Sequence, residues 1–159
     1  TSKGGNTEFA YMPDAYDALD EETKTEIEGL VCEHSQMYSR QQVGFFDFTE
    51  EEKRRFAPVR QRLVRRHPTT DRKSLYLASH AGAILGMPVP EALLLLRDLT
   101  EHATHERFVH VHQWEVGDLV IWDNRQTMHR ARPFPEHERR DMRRTTLAGE
   151  GPTVMQQVA

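Results

Sequence analysis

A single cysteine, Cys32, among 159 residues excludes an internal disulfide. Long apolar runs are also missing: the leucines Leu93–Leu96 make a stretch far too short to span a bilayer, and no signal-peptide pattern opens the chain. These absences predict a cytoplasmic protein with no membrane partner. There is no internal repeat and no low-complexity linker. Basic charge is not in excess either. With 21 Lys and Arg against 25 Asp and Glu the net charge is −4, and the arginines lack a regular interleaving of aromatics, so no nucleic-acid partner is expected. What remains, at 37% hydrophobic and 29% charged, is a soluble globular chain long enough for one domain with a core.

Against that acidic background one stretch stands out. "WDNRQTMHRARPFPEHERRDMRRTTLAG", Trp122 to Gly149, holds seven arginines and two histidines. So much cation in a short segment calls for an anion, a metal site, or a solvated surface.

The pattern along the chain sets the frame for that segment. "TSKGGNTEFAYM" predicts a loop turning at Gly4 and Gly5 into a short strand. "PDAYDALDEETKTEIEGLVCEH" predicts one or two helices, with Ala15, Leu19, Ile27, Leu30 and Val31 at near-helical spacing. Thr49 followed by Glu52 predicts a capping box and a short helix ending before Pro58. "QRLVRRHP" and "KSLYLASH" predict strands about a turn at "PTTDR". "PEALLLLRDLTEHAT" predicts the clearest helix, with Pro90 near its start and Leu93, Leu96 and Leu99 on one face. After it the period shortens to two, and "ERFVHVHQW", "GDLVIWD", "TMHRAR" and "MRRTTLAG" predict four strands. The fold expected is mainly β with helical insertions and a jelly-roll core, short of strands for a closed double sheet.

On these predicted strands the candidate chemistry can be located. With Arg140 and Arg144 on one extended strand, Arg140, Met142 and Arg144 share a face, the two arginine Cα atoms about 13 Å apart. They would then serve two anions as readily as one. A guanidinium suits a carboxylate or sulfonate held bidentately, and His129 beside two inward arginines would make a small-anion pocket next to a metal or a base. On spacing alone a solvated arginine face is an equal reading, and a lone histidine is more often structural than a ligand.

The same segment resembles the C-terminal signature of the Fe(II)/2-oxoglutarate-dependent dioxygenases of the TauD/TfdA family. "GGNTEFAYMPDAYDAL" is similar to that family's segment just after its first metal motif, and "VRRHPTTDRKSLYLASHAGAILGMPVPEA" and "LRDLTEHATHERFVHVHQWEVGDLVIWDNR" continue the likeness. The likeness covers nearly the whole chain and leans toward the 2,4-dichlorophenoxyacetate members, notably around "LASHAGAILG" and "LTEHATHERFV". It implies a double-stranded β-helix (jelly-roll, cupin-like) core, incomplete at its N-terminal side, with residues 1–159 as the C-terminal part of one dioxygenase domain. It also implies Fe(II) and O₂ as cofactors, 2-oxoglutarate as cosubstrate and a small anionic organic substrate. By resemblance, His129 is an iron ligand and catalytic residue, and Arg140 with Thr7 holds the distal carboxylate of 2-oxoglutarate. Arg144 binds the primary substrate and His80 lies near it; His67 has a counterpart without an assigned role. The resemblance implies aryloxyalkanoate oxidation, with taurine or other sulfonates, alkyl sulfates, or a non-catalytic carboxylate-binding remnant as alternatives. Members of that family are often dimers or tetramers, and no interface can be read in this sequence.

The family's remaining iron ligands form an H-x-D motif upstream of the "GG" segment. None of the nine histidines here begins H-x-D or H-x-E, and Thr1 lies three residues before Gly4. The chain is therefore expected to be the C-terminal part of an enzyme and inactive alone, with unpaired sheet edges. His110 and His112 form an H-x-H pair that reads better as packing or surface than as ligands, His102 and His105 sit at a helix end, where a cation suits the dipole, and His34 and His137 have no companion ligands. The oxygenase reading requires His129 and Arg140 to project into a common cavity between two sheets, with the Thr7 hydroxyl at its wall.

Overall fold

The computed structural model describes residues 3–149, 151 and 153–154; Thr1 and Ser2 of the predicted opening loop lie outside them. Strand β1 (Thr7–Tyr11) forms as its alternation requires and takes the centre of an antiparallel sheet, between β7 (Val109–His112) and β8 (Thr127–Ala131). A second antiparallel sheet sets β2 (Val31–His34) between β3 (Val59–Arg62) and β6 (Ala81–Ile84). A hairpin joins β4 (Val64–Arg66) to β5 (Lys73–Leu75).

Helices α1 (Met12–Asp17) and α5 (Val89–Ala103) pack against these sheets. On α5 the buried residues are Ala92, Leu96, Leu99 and Ala103, a stripe at i, i+4, i+7 and i+11. They join Ala15, Ile27, Cys32, Leu63 and Leu75 in one core, against which Val109 and Met128 of the first sheet also pack. Burial pushes the Cys32 thiol up to about 12, so it stays a protonated, inert core side chain. Helix α4 (Glu50–Arg55) carries the predicted box: the Thr49 hydroxyl accepts from the Glu52 amide, and the Glu52 carboxylate accepts from the Thr49 amide. Helices α2 (Glu21–Ile27) and α3 (Gln36–Gln41) are likewise capped, by Asp20 and Ser35.

Four expectations are corrected. "VCEH" is strand β2 rather than the end of a helix, because Val31–His34 pairs on both sides and that ladder outweighs the helical spacing. "GDLVIWD" and "MRRTTLAG" are not strands. Neither has a ladder partner among the described residues, so an alternating pattern alone cannot hold them extended, and Leu119 and Ile121 stand 85% and 86% exposed. Arg140, Met142 and Arg144 consequently share no strand face. Among the described residues the strands form three small sheets, with helices packed on them, and so stay short of a closed double sheet.

The second sheet also carries a pH-sensitive group. His34 Nε2 is buried with no hydrogen-bond partner among the described residues, and its ring lies 5.2 Å from that of Tyr76. Burial first, then the neighbouring His80 and Arg65, lower its pKa from 6.5 to about 4. Between those values the unfolded chain binds more protons than the folded one, so this contribution is complete above pH 6.5 and is lost as pH falls toward 4. Thermal melts across that window should show Tm dropping on acidification, with a shallower drop in His34→Phe. Parallel curves for the two proteins would remove His34 as the cause.

Candidate active site

Register decides which side chains meet on the first sheet. One row runs His110–Phe9–His129 and the next His112–Thr7–Ala131. All six project to the face opposite Ala10, Val109 and Met128, which are turned to the core. Two tryptophans cover part of the polar face. Trp122 packs on His129 at 5.1 Å and on Phe9 at 5.3 Å between ring centroids. Trp114 packs edge-on against His112 at 4.5 Å, and its indole N–H donates to the Thr7 hydroxyl at 2.9 Å.

His129 as a residue is exposed, yet the aromatic neighbours shield its ring. Desolvation first, and the Arg144 charge second, lower its pKa and favour the neutral imidazole, the form that ligates metals. The expected cavity between two sheets is not what carries these groups. His110, His129 and Ala131 are exposed, so they sit on an open sheet face.

The arginine-rich segment resolves into ion pairs and exceptions. Arg125 pairs with Asp123, Arg130 and Arg132 pair with Glu8, and Arg139 and Arg143 approach Asp141. Among the described residues Arg140 and Arg144 form no ion pair. Arg140 is half-buried, its guanidinium 5.6 Å from the centre of the Phe134 ring, in a cleft shared with Ala131 and Pro133. Ala131 is the cross-strand partner of Thr7, so this cleft opens beside the Thr7 row. Gly4 makes that juxtaposition feasible. Its φ is +75°, and a Cβ there would lie 2.2 Å from the Pro133 carbonyl oxygen. Gly5 N–H then donates to the same carbonyl at 3.0 Å, fixing the 133–134 segment against the start of β1.

The turn before β8 is braced from across the molecule. Asp123 accepts from the Arg125 amide and guanidinium, and these, with His67, hold its carboxyl well below the usual range. His67 is buried; its Nδ1 accepts from the amides of Thr69 and Thr70, so Nε2 carries the proton and donates to Asp123 at 3.1 Å. His67, left without a role by the sequence, is thus a strut between the β4–β5 hairpin and the turn that sets Trp122. Trp114 was also missed; the alternation of His110, His112 and Trp114 was the available signal.

The remaining histidines separate from this face. His80 belongs to the second sheet region, with Nδ1 2.7 Å from the Ser39 hydroxyl, and no recorded contact among the described residues links it to His129. His112 Nε2 donates to Asp118 at 3.0 Å, and His102 Nε2 to the Ala15 carbonyl at 2.8 Å. Among the described residues no three His, Cys, Asp or Glu side chains converge as a metal site. The face therefore fits one imidazole position and an anion grip, and does not by itself fit a complete Fe(II) ligand set.

The pattern of the Taurine catabolism dioxygenase TauD, TfdA family matches residues 1–146. The chain belongs to that family. Within it, the alpha-ketoglutarate-dependent 2,4-dichlorophenoxyacetate dioxygenase of Cupriavidus pinatubonensis is 46% identical over 143 residues, covering 90% of this chain and 50% of that protein. The (S)-phenoxypropionate/alpha-ketoglutarate-dioxygenase of Sphingobium herbicidovorans is 39% identical over 155 residues, covering 94% of this chain and 54% of that protein. A solved structure, AAD-2 in complex with Mn(II) and N-oxalylglycine, superposes with a TM-score of 0.91 at 66% identity, covering 96% of this chain and 60% of that one. The chain spans about half the length of the curated relatives it matches. No helix among the described residues is long and apolar enough to cross a membrane.

Proposed function

We propose that residues 1–159 are the C-terminal part of a dioxygenase domain with a jelly-roll core, and that the full-length protein is a cytoplasmic Fe(II)- and 2-oxoglutarate-dependent dioxygenase. Its substrate is a small anionic aryloxyalkanoate such as 2,4-dichlorophenoxyacetate. The reaction couples conversion of 2-oxoglutarate and O₂ to succinate and CO₂ with hydroxylation of the carbon beside the ether oxygen. The resulting hemiacetal collapses to a phenol and glyoxylate.

The observation that carries this reading is that, among the described residues, Arg140 and Arg144 form no ion pair, although Glu136 and Glu138 line the same cleft as Arg140. Arg140, in the cleft beside Thr7, grips the distal carboxylate of 2-oxoglutarate through a charge-assisted bond. Arg144, whose charge reaches His129, binds the anionic end of the primary substrate and so orients one C–H bond. His129 would contribute a neutral imidazole to iron, with the other ligands supplied by the rest of the full-length protein, and His80 lies near the primary substrate. The names of the relatives support the substrate class, and the N-oxalylglycine of the solved neighbour, a dicarboxylate of the same length as 2-oxoglutarate, supports the cosubstrate. This chain alone is expected to be inactive.

The test is a panel of 2,4-dichlorophenoxyacetate, taurine and hexyl sulfate given to the full-length protein with Fe(II), 2-oxoglutarate and ascorbate. Succinate should rise above the uncoupled background with the aryloxyacetate first. A response to taurine or hexyl sulfate instead would move the substrate to sulfonates or sulfate esters. Succinate at background with all three would sink the substrate class. A carboxylate-binding remnant is the second reading, favoured by the incomplete ligand set among the described residues. It requires weak, metal-independent 2-oxoglutarate binding that Arg140→Ala removes.

A further inference from the structure

Thr7 is buried, at 8% exposed, and its hydroxyl oxygen accepts a hydrogen bond from Trp114. A hydroxyl carries two acceptor positions and a single proton to donate. The Trp114 indole, a donor only, takes one acceptor position and so turns the Thr7 proton away from the indole. Among the described residues no acceptor is recorded for that proton. A buried donor without an acceptor is costly, which makes this hydroxyl a waiting donor for something that arrives.

Trp114 is itself held on its other side. Its ring meets His112 edge-on at 4.5 Å, and His112 is anchored to Asp118, whose carboxylate also accepts the Glu115 amide at 2.9 Å. The line Asp118–His112–Trp114–Thr7 therefore ends at the row that borders the Arg140 cleft.

We infer that Trp114 is a positioning residue for 2-oxoglutarate: by occupying the acceptor side of the Thr7 hydroxyl, it presents that hydroxyl as a donor to the distal carboxylate beside Arg140. The inference rests on the carboxylate grip proposed above. It assigns Trp114 no contact with the ligand and no part in the chemistry.

A double-mutant cycle in the full-length protein tests it, using Trp114→Phe, Thr7→Val and the pair, titrated with 2-oxoglutarate and with pyruvate, which keeps the keto acid and lacks the distal carboxylate. Phenylalanine retains an aromatic ring beside His112 while losing the N–H donor and part of the indole's bulk. Each single variant should weaken 2-oxoglutarate by about three- to tenfold. The pair should be no weaker than Thr7→Val alone. Pyruvate should bind all four proteins equally, and kcat in Trp114→Phe should stay within about twofold while KM for 2-oxoglutarate rises. Additive losses, equal weakening of pyruvate, or unchanged 2-oxoglutarate affinity in Trp114→Phe would each overturn the inference. If Arg140→Ala and Thr7→Val both leave 2-oxoglutarate binding intact, the carboxylate grip itself is wrong and the inference falls with it. Should Trp114→Phe misfold, the Trp114 indole N–H resonance in Thr7→Val reads the same bond. A shift supports it, and an unmoved resonance removes it.

Discussion

Replacing His129 by alanine in the full-length protein is expected to abolish succinate formation and to weaken metal binding. The effect should exceed the roughly 10–100-fold typical of groups that only support a ligand. The argument is electrostatic and geometric. Partial burial and the Arg144 charge favour a neutral imidazole, which has a lone pair for a metal at neutral pH. Phe9 and Trp122 restrict the ring on two sides, and the Asp123 turn fixes Trp122 through the His67 strut. Metal content by elemental analysis and turnover by succinate release should fall together. If His129→Ala keeps both, the histidine belongs to the packing of the sheet face and the site lies elsewhere.

The second large effect is expected at Arg140. Arg140→Ala should raise the 2-oxoglutarate requirement by about 1.5–3 kcal/mol, the range of a hydrogen bond to a charged group, roughly a tenfold to hundredfold change. The melting temperature should change little, because Arg140 forms no ion pair among the described residues and its guanidinium lies over the ring of Phe134, which is itself exposed. Arg144→Ala should leave the 2-oxoglutarate requirement nearly unchanged and raise that for the aryloxyalkanoate. Initial rates over a grid of both concentrations separate the two. A common effect of both substitutions on one substrate would contradict the proposed division between the arginines.

The features legible in the sequence are those made by neighbours along the chain. The Thr49–Glu52 box, the apolar stripe of α5, and strands β1 and β8 needed only local spacing to be read. "GDLVIWD" and "MRRTTLAG" alternate as well as β8 does, yet only β8 lies against β1. A strand's hydrogen bonds belong to its partner, so alternation shows readiness to pair without showing that a partner is there. Val31–His34 fails in the opposite direction: its helical spacing is real, and two flanking strands overrule it.

At the candidate site the same division holds. Residue chemistry by itself determined that seven arginines in an acidic chain needed explanation, and family resemblance singled out His129, Thr7, Arg140 and Arg144. Only the tertiary structure decided which arginines are consumed by Asp123, Glu8 and Asp141 and which two form no ion pair among the described residues. It alone decided that Trp114, 107 positions from Thr7, donates to that hydroxyl, and that His67, 56 positions from Asp123, braces the turn. Side-chain hydrogen bonds act over about 3 Å of space whatever the distance along the chain, so their partners are chosen by the fold.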